Sequence, residues 1–274
     1  MLSSMRVTAT TLRLLAPALL LGALACNSDD DVIVEPPPTG AAVLTGDITA
    51  SRTLFRDTVY TLSGFVHVTN GARLTIQAGT QIHGDANVLG SSLFVLKGAQ
   101  IVAEGTAQAP IVFTSSKDAG QRKPGDWGGL ILIGNASLNR TGGGAIQVEG
   151  TGTAAGTTPG TNYDVRYGGA AGAAFTDNDN SGSLRYVRVE FAGFAPSQGN
   201  ELNSFTFATV GSGTTLQYLQ ALSGLDDSFE WFGGAVDGKF LLAYDTGDDM
   251  FDMSEGYRGR LQYLIGYNLS LIHI

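Results

Sequence analysis

Two short stretches place acids where they could do chemistry. Asp226-Asp227-Ser228-Phe229-Glu230 is echoed by Asp248-Asp249-Met250-Phe251-Asp252, 22 residues later. Two carboxylates about 5 Å apart repel by about 1 kcal/mol in water and about 3 kcal/mol near a protein surface. Solvent, turn amides, a shared proton or a bound cation can relieve this. Ca2+ takes roughly six to eight oxygen ligands. Asp226, Asp227, Glu230, Asp248, Asp249 and Asp252 could supply several of them. The competing reading is a pair of Asx-type turns, in which each Asp accepts from its own loop.

A second set of side chains could bind rather than react. Leu184-Arg185-Tyr186-Val187, Leu216-Gln217-Tyr218-Leu219 and Leu261-Gln262-Tyr263-Leu264 share one pattern, and Phe240 holds the aromatic place between the last two. In Val187-Arg188-Val189 apolar residues alternate with a charge, which turns the valines inward and leaves Tyr186, Tyr218, Phe240 and Tyr263 outside. An outward aromatic column suits stacking on sugar rings; packing under a loop is the competing reading. Trp127 and Trp231, each beside a Gly-Gly pair, are candidates of the same kind.

Other chemistry is weakly signalled. His67 and His83 sit in strand-like stretches and read as structural. Asp177-Asn178-Asp179-Asn180-Ser181-Gly182 opens like a calcium loop, but the twelfth place, a Glu in an EF-hand, is Arg188, so a polar turn is expected. There is no H-E-x-x-H, G-x-S-x-G or Walker A motif. No catalytic residue is singled out.

What would position these residues? The chain has 274 residues, 38 of them Gly, with a formal charge of −9. Short apolar strands between Gly turns, with little helical periodicity after residue 26, favour an all-β fold. Gly71–Thr80 and Gly98–Thr106 parallel each other, and the aromatic pattern recurs at the spacing of the acidic one. A period near 22 residues built of short strands predicts a solenoid, and specifically a right-handed parallel β-helix over 43–268. An antiparallel sandwich is the rival, but it gives no reason for one acidic turn to recur at a fixed offset. In the solenoid, Asp226-Asp227 and Asp248-Asp249 occupy the same turn of adjacent coils, and Phe229 and Phe251 form an internal ladder. Residues 141–182 are a long Thr-, Ala- and Gly-rich insertion carrying Glu149, Tyr163, Asp164, Arg166 and Tyr167. It reads as a binding excursion or a plain loop.

The N-terminus reads as a targeting segment. Arg6 and Arg13 precede an apolar run too short to span a bilayer, and Ala23-Leu24-Ala25-Cys26 resembles a bacterial lipobox. Residues 1–25 are thus expected to be a signal peptide, Cys26 the lipidation site, and the acidic, Pro-rich stretch 26–42 a tether. Cys26 is the only cysteine, which leaves no disulfide or Cys nucleophile. The acidic balance excludes a phosphate-backbone binder, so no nucleic-acid partner is expected. Leu269-Ser270-Leu271-Ile272-His273-Ile274 reads as a non-native tail, and the solenoid as C-terminally truncated.

"GDWGGLILIG", "NSGSLRYVRVEFAG", "VGSGTTLQYLQ" and "DDSFEWFGG" resemble a group of secreted bacterial β-helix proteins, some of which carry a type IX secretion sorting domain. The resemblance runs from about Leu44 to Asn268 and implies the fold and a secreted location, but no activity. Together these readings lead to a lipid-anchored cell-envelope protein, at the outer membrane or cell surface. It is expected to be a non-enzymatic binding or adhesion module, with polysaccharide as the candidate ligand. A Ca2+-dependent lyase-like enzyme and a structural spacer are the alternatives.

Overall fold

In the computed structural model of the chain, residues 38–140, 146–151, 165–168, 174–196 and 199–269 are described; Cys26, Tyr163 and Asp164 lie outside them. The described residues contain only strands. In chain order these are β1 (Gly40–Ile48), β2 (Arg52–Leu54), β3 (Thr58–Val68), β4 (Arg73–Ile76), β5 (Gln81–Gly84), β6 (Ser92–Val95), β7 (Gln100–Glu104), β8 (Ile111–Ser115) and β9 (Gly129–Ile133). They continue with β10 (Ile146–Gln147), β11 (Arg166–Tyr167), β12 (Gly182–Glu190), β13 (Phe205–Ala208), β14 (Thr215–Leu222), β15 (Phe229–Phe232), β16 (Gly238–Tyr244), β17 (Asp252–Ser254) and β18 (Leu261–Tyr267).

Every pairing except that of β10 with β11 is parallel, and the strands wind into a right-handed parallel β-helix with three faces. Face I stacks β2, β4, β7 and the first parts of β12, β14, β16 and β18. Face II stacks the first parts of β1 and β3, then β5, β8 and the second parts of β12, β14, β16 and β18. Face III stacks the ends of β1 and β3, then β6, β9, β13, β15 and β17. A coil supplies the crossover that each parallel pair requires, and side chains that point inward meet their equivalents one coil away, about 4.8 Å on.

The interior is apolar and stacked. Leu184, Val187, Val189, Leu216, Leu219, Leu241 and Ala243 fill it from faces I and II. From face III, Phe229 stacks between Phe205 at 5.0 Å and Phe251 at 5.5 Å, so the internal ladder expected of Phe229 and Phe251 forms and gains a third ring. Such offset pairs add about 0.5–1.5 kcal/mol each beyond their buried area.

The aromatic positions Tyr186, Tyr218, Phe240 and Tyr263 make the corner between faces I and II. Each has a left-handed backbone, with φ of 49°, 55°, 59° and 62°, and each is skipped in the ladder register of its strand. This corner explains why Leu184 and Val187 both point inward although three positions separate them: the left-handed residue absorbs one place and restarts the alternation. One coil earlier the two faces are joined by residues 105–110, between β7 and β8, and the Gly105 amide donates to Arg185 O at 2.8 Å.

Face III carries a second apolar layer on its outer side. Phe65, Phe94, Ile131, Ile133, Ala208 and Phe232 pack there against Val148, Val165 and Tyr167 of the insertion. The described parts of the insertion therefore cover this face of the solenoid. Lys97 Nζ donates to Gly168 O at 2.8 Å at one border of the cover.

Candidate functional site

The acidic turns precede β15 and β17. Register pairs Phe205 with Phe229, and Thr206 with Glu230, which pairs in turn with Asp252. Asn203-Ser204-Phe205-Thr206 is thus the same motif one coil earlier, with amide and hydroxyl in place of acids. Asn203 Oδ1 accepts the Asp227 amide at 3.1 Å, and Asp227 Oδ1 accepts the Asp249 amide at 2.8 Å. Each side chain caps the next coil's backbone, which is the hydrogen-bonded-turn reading in ladder form.

That arrangement does not neutralise the acids. Asp226, Asp227 and Asp248 bring one carboxylate oxygen each within 4.8 Å of one another, and so do Asp227, Glu230 and Asp252. Asp227 belongs to both triads and is 8% exposed; Glu230 is 5% exposed. Asp249 joins neither triad. Two further acids act on the cluster: Glu149 from the insertion and Glu201 from the segment before β13. Burial, reinforced by Glu149, Asp227 and Asp252, pushes the Glu230 carboxyl up to about 9. Burial pushes Asp227 up to about 7, against the lowering effect of the Asp249 amide. Burial together with Asp226 and Glu201 lifts Glu149 to about 7, and burial with Glu201 and Asp248 lifts Asp226 to about 6. Asn203 Nδ2 donates to Glu230 Oε2. The site can hold protons or a hard cation, and the two triads are where oxygen ligands converge.

The arginines nearest the acidic turns in sequence pair elsewhere. Arg260 forks onto Asp237 at 3.1 and 3.2 Å. Arg258 pairs with Asp177 at 2.7 Å. Lys239 stands exposed on face I. Asp177 also accepts from Ser137 N at 2.9 Å and Ser137 Oγ at 2.8 Å, and Asn180 Oδ1 accepts from Gly182 N at 2.8 Å. Those oxygens are engaged by protein donors, whereas Asp179 Oδ2 is buried without a hydrogen-bond partner. His67 is buried beside Asp47, with Nδ1 2.9 Å from its Oδ1. It stands in the same outward column as Glu230 but four coils away.

The corner aromatics form a continuous stack. Centroids lie 4.4 Å apart for Tyr186–Tyr218, 4.5 Å for Tyr218–Phe240 and 4.8 Å for Phe240–Tyr263, with planes within 3°, 7° and 11° of parallel. Tyr218 and Phe240 therefore have both faces covered by their neighbours, which corrects the expectation that the whole column offers flat faces to sugars. What the interior rings present is their edges. Beside them runs a groove of about 340 Å³, lined by Tyr186, Tyr218, Phe240, Arg188, Gln220 and Leu242 and closed at one end by Thr106, Ala107 and Pro110.

Trp127 and Trp231 are corrected more strongly. Both are wholly buried, so neither indole can meet a surface ligand. Trp127 Nε1 donates to Glu190 O at 2.8 Å, and its ring lies where a Cβ on Gly84 would stand. Trp231 packs between Phe207 and Tyr257 at 5.5 and 5.6 Å. The flanking glycines serve other close approaches: a Cβ on Gly128 would meet Ser92, one on Gly129 the Asn203 carbonyl, and those on Gly233 and Gly234 would meet Leu138 and Val210.

A family model described as a pectate-lyase like beta helix domain matches residues 46–270, and the chain belongs to that family. Neither the curated proteins nor the solved structures include a match.

Proposed function

We propose that the protein is a non-catalytic binding domain for an extended polysaccharide, held to the cell envelope by a lipid on Cys26. The observation that carries this reading is the arrangement of polar rows around the aromatic corner. Arg185, Gln217, Lys239 and Gln262 are in register on the face I side. Arg188 and Gln220 are in register on the face II side, along the groove. Donors that repeat once per coil suit a ligand that repeats along its own length. Sugar hydroxyls would meet these donors and the tyrosine hydroxyls, with ring stacking left to the faces at the two ends of the column.

Ca2+ is proposed at the Asp227, Glu230 and Asp252 triad, where it would offset the repulsion between adjacent coils. The lyase-like alternative needs a base near bound substrate. Arg258 and Arg260, the arginines nearest the acids in sequence, are engaged by Asp177 and Asp237, and fold likeness alone is a weak argument for activity.

The test is retention on immobilised polysaccharides. Wild-type domain should be retained, and Arg185→Ala combined with Gln217→Ala should weaken retention at least tenfold without changing the far-UV spectrum. Wild-type protein that elutes with the void from every matrix would overturn the reading, as would equal retention of the variant.

A further inference from the structure

The groove beside the aromatic corner has a chemistry that the polysaccharide reading does not use. Its length is set by the ring stack, with spacings of 4.4, 4.5 and 4.8 Å over four rings. One wall is the row of ring edges. The opposite wall is Arg188, Gln220 and Leu242, each two residues beyond a ring, and Thr106, Ala107 and Pro110 close one end. Beyond Leu242 the row continues to the exposed Ile265, beside Tyr263. The result is a straight channel parallel to the solenoid axis.

Aromatic rings carry negative charge on their faces and positive charge on their edges. Because the rings cover one another's faces, this wall presents positive edges in sequence. A surface of edges is complementary to the π-face of another aromatic system, in the edge-to-face geometry that aromatic pairs favour. A saturated sugar ring has no such face. The left-handed corner holds the rings in place: φ between 49° and 62° at all four positions fixes where each side chain leaves the backbone.

We propose that this channel binds elongated, planar, conjugated aromatic molecules, lying along the solenoid axis with one face against the edges of Tyr186, Tyr218 and Phe240. The inference shares the groove and its Arg188–Gln220 row with the polysaccharide reading but rests on the ring edges, which that reading does not use.

The neutral 2-(4-aminophenyl)benzothiazole, elongated, planar and conjugated, is a direct probe, since it has an electron-rich face and no charge to be drawn to the acids of the protein. Wild-type protein should give a saturable fluorescence rise with close to one site per chain. Tyr218→Gly interrupts the stack while keeping a residue suited to the left-handed corner. Gln220→Trp fills the channel and leaves the stack intact. Each change should weaken binding at least tenfold. Should Tyr218→Gly fail to fold, Gln220→Trp decides alone. A wild-type titration without saturation, or Gln220→Trp binding as tightly as wild type, would overturn the proposal.

Discussion

Asp227 Oδ1 accepts the backbone amide of Asp249 at 2.8 Å, one coil after Asn203 Oδ1 accepts the amide of Asp227 at 3.1 Å. The hydrogen bond therefore needs a side-chain oxygen but not a charge. Asp227→Asn should keep the bond, remove one repelling charge and leave stability at pH 7 equal or higher. Asp227→Ala should lose about 1–2 kcal/mol, because the amide it served is left without its partner. Urea denaturation of the three proteins checks the order.

The raised carboxyls set a pH dependence of definite sign. Glu230 titrates near 4.5 when unfolded and about 9 when folded, and Asp227 near 3.8 and about 7. For an acid whose folded value is raised, the folded state holds the proton more tightly. The stabilisation is complete below the unfolded value and is lost as pH rises through the folded one. Melting temperature should thus fall between pH 5 and about 9 in chelator. Glu230→Gln should flatten the upper part of that fall. A melting temperature that stays level across this range would show that the cluster is not held as described.

Ca2+ should reverse the same trend. A cation that binds only the folded state at about a hundredfold excess over its dissociation constant adds roughly 2.7 kcal/mol. Melting at pH 8 should rise with Ca2+ and drop with chelator, and Asp227→Asn with Asp252→Asn should abolish the response. Identical melting of wild type in both conditions would rule out a cation at the triads.

Much of this was legible in the sequence because a solenoid writes its period into the chain. The recurrence of Asp227-Ser228-Phe229-Glu230 as Asp249-Met250-Phe251-Asp252 gave both the coil and the internal ring ladder. The third copy, Asn203-Ser204-Phe205-Thr206, was readable too, but only when Asn and Thr are treated as equivalents of Asp and Glu. Glu149 and Glu201 were not readable as members of the cluster, since an insertion and an irregular segment bring them there and no periodicity links them to it. The outward side of the aromatic column follows from its parity with the inward valines. Spacing along the chain shows that rings stack from coil to coil; it takes the geometry to show that stacking consumes their faces. The burial of Trp127 and Trp231 is not legible in the sequence, because a glycine pair near an indole signals equally well an open loop and a close approach.

The left-handed corner makes its own prediction. Tyr218 has φ of 55°, a conformation that costs an L-residue roughly 1–2 kcal/mol and Gly almost nothing. Tyr218→Gly and Tyr218→Val both remove the ring, so both should be less stable than wild type. Val should be the worse of the two despite burying more apolar surface. If chemical denaturation ranks Val above Gly, strain at the corner is not what distinguishes them.

The central claim is that the domain binds polysaccharide and does not cleave it. The most direct measurement incubates the folded domain with a panel of acidic and neutral polysaccharides in Ca2+, following ultraviolet absorbance from unsaturated products, reducing ends and co-sedimentation together. The account predicts co-sedimentation with at least one polysaccharide, with absorbance and reducing ends at the level of a protein-free control. A time-dependent rise in absorbance that disappears in chelator would contradict it and establish a lyase.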